Sequence, residues 1–160
     1  VCDVTGEYPV ILRPGLVTRE MIERLAGRCG AAPATLGPGE KAKSPGMLYK
    51  HYSPRCRTLL FPEDGRAEAE DAFRRETAAG NRALFLCEGK LADELNARGM
   101  SALNLGYCGE EMAARLYGLL REAEKRADVL IAVEPAERGG VMTGVLNRLK
   151  KACASADIPH

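Results

Sequence analysis

From Arg55 onward the chain repeats one texture four times, a short apolar run followed by an amphipathic stretch, and no other feature restricts its fold as tightly. The apolar runs fall at residues 58–61, 83–87, 102–105 and 129–133. They are almost continuously apolar rather than alternating, which is the pattern of parallel strands covered on both faces. Between residues 110 and 126, Met112, Leu116, Leu119, Leu120 and Ala123 recur at helical spacing, with Glu111, Arg115, Arg121 and Glu122 outside that stripe. A last helix over residues 141–154 turns Val145, Leu146 and Leu149 inward and ends in Arg148, Lys150 and Lys151, favourable to its dipole. Four β-α units in about a hundred residues predict an α/β domain, a Rossmann-like open and mostly parallel sheet with right-handed crossovers.

The predicted domain lacks the usual phosphate fingerprints. No G-x-G-x-x-G follows a predicted strand, and no G-x-x-x-x-G-K-[ST] occurs. Gly106-Tyr107-Cys108-Gly109 and Gly139-Gly140 lie at carboxyl ends of strands, where open sheets place ligands, yet glycine there is more often turn chemistry. Asn147 and Arg148 could line a pocket, or face solvent or a neighbouring domain. Glu134 and Glu137 flank Pro135 and could bind Mg2+, although a solvated loop with helix-start acids reads better. His51 and His160 are the only imidazoles, and the six cysteines include no C-x-x-C pair, so neither a zinc site nor a nucleophilic triad can be assembled. Scattered thiols of this kind suit a reducing cytoplasm.

Ahead of this domain, residues 7–13 read as a strand stopping at Arg13-Pro14-Gly15, and Thr18 reads as the N-cap of a helix with Glu20 in its first turn. Met21, Ile22 and Leu25 form one stripe of that helix before Gly27 and Gly30 end it. Arg13, at a strand end, could fork onto a phosphate or sit in a surface salt bridge. Residues 30–54 hold four prolines and four glycines and predict no regular element, only a connector or a functional lid. The organisation expected is thus 1–29, a strand and helix; 30–54, a linker; and 55–160, the Rossmann-like domain.

Within the linker, Ser44-Pro45-Gly46-Met47-Leu48-Tyr49-Lys50-His51-Tyr52-Ser53-Pro54 is bracketed by prolines that favour an extended backbone. Lys50 and Tyr52 would share one face and Tyr49 and His51 the other. Such a strap can close over a phosphorylated ligand, or it can be a semi-rigid spacer with its tyrosines packed on the nearest domain. The whole chain balances 23 Lys and Arg against 22 Asp and Glu, so no global basic field for nucleic acid exists. Residues 40–57, however, carry five basic residues against one acid, which suits a compact anion. No apolar run approaches the ~20 residues of a membrane span.

The strap, as Ser44-Pro-Gly-Met-x-Tyr-x-His-Tyr-x-Pro54, resembles the interdomain linker motif of the long, two-domain threonylcarbamoyl-AMP synthases. Asp3-Val-Thr-Gly-Glu and Ile11-Leu-Arg-Pro-Gly15 look like the closing strands of that family's catalytic domain, and residues 139–154 are similar to the end of its C-terminal domain. The resemblance implies a fragment, opening mid-strand at Val1, that trails a missing catalytic domain and holds no catalytic residue of its own. It implies an enzyme making threonylcarbamoyl-AMP and pyrophosphate from L-threonine, bicarbonate and ATP, with Mg2+ held mainly by ATP and the missing domain. The product would serve threonylcarbamoyladenosine formation in tRNA through downstream transfer proteins, in the cytoplasm, without direct nucleic-acid binding by this chain. It further implies ATP and substrate contacts by Arg13, Ser44, Tyr49, His51 and Tyr52, and no specific role for Lys50. Two other readings of the residues stay open: a regulatory or protein-interaction module tethered by the strap, and an independent small-molecule transferase using the sheet's carboxyl edge.

Overall fold

The computed structural model describes residues 1–32 and 53–153. The α/β domain is built from β4 (Arg57–Phe61), α2 (Arg66–Ala78), β5 (Ala83–Cys87), α3 (Gly89–Ala97), β6 (Ala102–Asn104), α4 (Gly109–Arg126), β7 (Val129–Val133) and α5 (Gly140–Cys153). Its four strands are all parallel, in the order β4-β7-β5-β6. The two central strands, β7 and β5, are those with the most continuous apolar runs, whereas the edge strands β4 and β6 are only partly buried.

Alternation along the strands divides the core into two layers. Leu84, Leu86, Leu130 and Ala132 face α4 and α5, packing with Met112, Leu116, Leu120, Met142, Val145 and Leu149. Phe85, Cys87, Val129, Ile131 and Val133 point the other way, onto Ala69, Ala72 and Phe73 of α2 and Ala92 and Leu95 of α3. Phe73 and Phe85 stack with ring centroids 5.0 Å apart. Each of the Leu, Ile, Val, Met and Phe side chains among these contributes about 1.5–3 kcal/mol on burial. Every apolar position expected to turn inward on α4 and α5 is buried.

The N-terminal unit departs more from expectation. It is a small sheet of β1 (Cys2–Asp3), β2 (Val10–Ile11) and β3 (Gly30–Ala31), with α1 (Arg19–Ala26) between β2 and β3. The strand expected over 7–13 shrinks to two residues, because Pro9 has no N–H for a ladder and the Leu12 and Arg13 amides both turn to the carbonyl of Val1. Gly30 and Ala31, expected within an irregular linker, pair in parallel with Val10 and Ile11. Backbone groups suffice for that pairing: Gly30 N–H donates to the Pro9 carbonyl and Ala32 N–H to that of Ile11, both at 2.8 Å. A Cβ on Gly30 would press on the Tyr8 ring at 3.1 Å, so the glycine marks a close approach as well as a break.

Helix α1 begins and ends as its sequence requires. Thr18 Oγ1 accepts from Met21 N–H at 3.3 Å, and Gly27, at φ 75°, donates to the Glu23 carbonyl at 2.8 Å. Its apolar stripe, in contrast, has no cover among the described residues. No residue of α1 is buried, and Leu25 is 92% exposed, beside exposed Leu16, Val17 and Met21.

Candidate functional site

At the carboxyl edge of the sheet, where an open parallel sheet would hold a ligand, the groups are turned on one another. The Gly89 N–H that opens α3 donates to the Gly106 carbonyl at 2.8 Å. Tyr107 lies across the same spot, so close that a Cβ on Gly89 would sit 2.5 Å from its ring, and its hydroxyl donates to Asp93 at 2.5 Å. That bond to Asp93 holds the Tyr107 phenol above its ordinary pKa. Tyr107 N–H is taken by Glu111 at 2.9 Å. Gly106, at φ 140°, lies so close to α4 that a Cβ there would collide with the Met112 nitrogen at 2.9 Å.

The acids along this edge also disfavour an anion. Glu110 and Glu111 occupy the first turn of α4, and Glu134, at the end of β7, is paired with Arg138 at 3.4 Å and Lys150 at 3.1 Å. Glu134 therefore serves an ion pair, and among the described residues no group of three or more His, Cys, Asp or Glu is placed to hold a metal ion. Of the helix starts at this edge, that of α3 is covered by Tyr107 and that of α4 is acidic, which disfavours pyrophosphate at both.

The other candidate locus is the Arg13-Pro14-Gly15 segment. Arg13 follows β2, is exposed, and makes no side-chain hydrogen bond or ion pair among the described residues. The adjoining segment lies against α5. The Pro14 carbonyl accepts from Arg148 Nη2 at 3.2 Å, and Gly144 leaves room for the contact, since a Cβ there would be 3.6 Å from the Gly15 nitrogen. Beside it a cavity of about 400 Å³ opens between Gly15, Leu16, Glu110, Tyr117, Val141 and Arg148. Of the residues expected to contact ligand, Arg13 alone is described; Ser44, Tyr49, His51 and Tyr52 lie outside the described residues. Arg148 meets a neighbouring unit, one of the alternatives its position allowed. Gly144 was not legible as a contact residue, its only signal being a glycine in the middle of an otherwise well-formed helical pattern.

The family model described as the C-terminal domain of threonylcarbamoyl-AMP synthase matches residues 17–154. The chain belongs to the threonylcarbamoyl-AMP synthase family. It is 33% identical over 157 residues to the threonylcarbamoyl-AMP synthase of Pyrococcus abyssi and 32% identical to that of Bacillus subtilis, in each case over 95% of this chain and 44% of the relative. A crystal structure of P. abyssi Sua5 complexed with L-threonine superposes with a TM-score of 0.77 at 30% identity, covering 98% of this chain and 45% of that one. A doubly substituted form of the same protein gives 0.78 at 27% identity. The chain thus spans less than half the length of the threonylcarbamoyl-AMP synthases it matches. No helix among the described residues is long and apolar enough to cross a membrane.

Proposed function

We propose that this chain is the C-terminal part of a threonylcarbamoyl-AMP synthase, whose whole enzyme joins L-threonine and bicarbonate to the adenylate of ATP with release of pyrophosphate. The product serves tRNA threonylcarbamoyladenosine formation in the cytoplasm through separate transfer proteins. The observation that carries the reading is the family match across residues 17–154. In this reading the chemistry belongs to a catalytic domain in front of this chain. The exposed Leu16, Val17, Met21 and Leu25 pack against that domain, which accounts for an apolar helix stripe with no cover among the described residues.

The chain's own contribution is to hold and close the site. Arg13 offers a planar two-bond contact to the triphosphate of ATP. The strap residues Ser44, Tyr49, His51 and Tyr52 close over the nucleotide, shielding a reactive mixed anhydride from water. A strap tied at its far end to the α/β domain loses less entropy on closing than a free tail. The covered start of α3 and the acidic start of α4 support an anchoring rather than a nucleotide-binding role for that domain. Mg2+ arrives with ATP, and we assign it no ligand among the described residues.

Pyrophosphate release tests the division of labour. This chain alone, supplied with ATP, L-threonine, bicarbonate and Mg2+, is expected to release none above blank, whereas the full-length enzyme turns over; turnover by the chain alone would overturn the reading. In the full-length enzyme Arg13→Ala should weaken ATP use and Arg13→Lys should not restore it. Unaltered ATP dependence in both would remove Arg13 from the site.

A further inference from the structure

The contact between α5 and the Pro14-Gly15 segment joins parts of the chain 134 residues apart, and it is built from two positions one helical turn from each other. Gly144 is buried in the middle of α5, where glycine costs about 1 kcal/mol relative to alanine, so its presence calls for a reason. The structure supplies one: the place of its missing Cβ lies 3.0 Å from Arg148 Nη1 and 3.6 Å from both the Gly15 nitrogen and the Pro14 carbonyl carbon. Arg148 uses that space to donate to the Pro14 carbonyl, with its guanidinium 6.0 Å from the centre of the Tyr117 ring of α4. Pro14 in turn fixes the backbone next to Arg13, because its ring leaves φ little freedom and it restricts the residue before it. Only the Pro14 ψ is left free between its carbonyl and Arg13, so part of any displacement of that carbonyl is passed to Arg13, whose amide is also held by the Val1 carbonyl at 3.2 Å.

We infer that Gly144 and Arg148 form a seat on α5 that positions Arg13, so that the C-terminal domain sets the ATP affinity of a site it does not itself line. The inference rests on the proposed role of Arg13 toward the triphosphate. Arg148 and Gly144 are positioning residues here, acting through Pro14 rather than on substrate. Arg148 is committed to a backbone carbonyl, so its loss shifts the segment without removing any ligand contact.

The test uses the full-length enzyme with Arg148→Ala, Gly144→Ala, Arg13→Ala and the Arg13→Ala/Arg148→Ala pair. Losing one guanidinium-to-carbonyl bond should raise KM for ATP about tenfold while kcat stays within about twofold. Gly144→Ala should do the same by crowding the guanidinium off Pro14, although it improves helix propensity and should not lower Tm. A merely structural role would show the opposite pairing, a lower Tm with unchanged KM. Arg148→Lys, which keeps a donor, should recover part of the affinity. The double variant should be no worse than Arg13→Ala alone, since both act on one contact. If Arg13→Ala weakens ATP use while Arg148→Ala and Gly144→Ala leave KM unchanged, the seat is overturned and the role of Arg13 stands. If Arg13→Ala itself has no effect, the ATP role fails, and amide hydrogen exchange of residues 15–17 decides the seat: faster exchange in Arg148→Ala supports it, and equal exchange overturns it.

Discussion

Glu70 offers the sharpest energetic test of the domain. It is 8% exposed on α2 and accepts from three arginines. Arg98 forks onto it with Nη1–Oε1 2.8 Å and Nη2–Oε2 2.6 Å, Arg66 Nε reaches Oε1 at 3.2 Å, and Arg74 Nη2 reaches Oε2 at 3.0 Å. The Arg98 guanidinium, helped by Arg66, outweighs burial and holds the carboxyl down from 4.5 to about 2. A depression of that size corresponds to an upper bound near ~3 kcal/mol of folding stability, at ~1.4 kcal/mol per pH unit. The arginine partners are 38–56% exposed, so solvent screening reduces this to about 1–2 kcal/mol. Because the folded pKa lies below the unfolded one, the stabilisation is complete above about pH 4.5 and lost as pH falls toward 2. Glu70→Gln should therefore lower the Tm of the α/β domain by about 4–16 °C at pH 7, at about four to eight degrees per kcal/mol for a domain of this size. The gap between wild type and variant should narrow as thermal melts are taken down through pH 4 to 3 and close only toward pH 2. Equal Tm at pH 7, or a gap that persists unchanged to pH 3, would show that the arginine cluster adds nothing.

Leu149→Ala, at a fully buried position between α5 and the sheet, should cost about 2–5 kcal/mol in urea unfolding. Burial pushes the Cys87 and Cys153 thiols up to about 12, so N-ethylmaleimide at pH 7.5 should label exposed Cys108 rapidly and leave those two intact until the protein unfolds, as peptide mass mapping will report. In the full-length enzyme His51→Ala or Tyr52→Ala should impair pyrophosphate release without lowering the Tm of the α/β domain, and full activity in both would reduce the strap to a spacer.

The α/β domain was legible almost residue by residue because a parallel strand buried on both faces must be apolar throughout, and the helices beside it must be apolar on one side. That is why residues 83–87 and 129–133 were expected as strands; the fold places them at the centre of the sheet. The N-terminal unit was legible only in part, since two-residue strands have no periodicity to read and Gly30 looked like punctuation while serving as a pairing backbone. Arg13 was open from its position alone, at a strand end where a phosphate contact and a surface salt bridge are both possible, and only the resemblance of its Arg-Pro-Gly segment to the family's made it a ligand candidate.

Local pattern cannot show what Arg13 rests against. The chain alone determined four β-α units and a capped helix after Thr18, since each follows from side-chain period or backbone restriction within a few residues. Tertiary structure decided that Tyr107 covers the start of α3, that Glu134 pairs with Lys150, and that the Pro14 carbonyl meets Arg148 across 134 residues of chain. Each of those contacts depends on how separate elements cross in space, and a sequence encodes that only through the packing of all of them together.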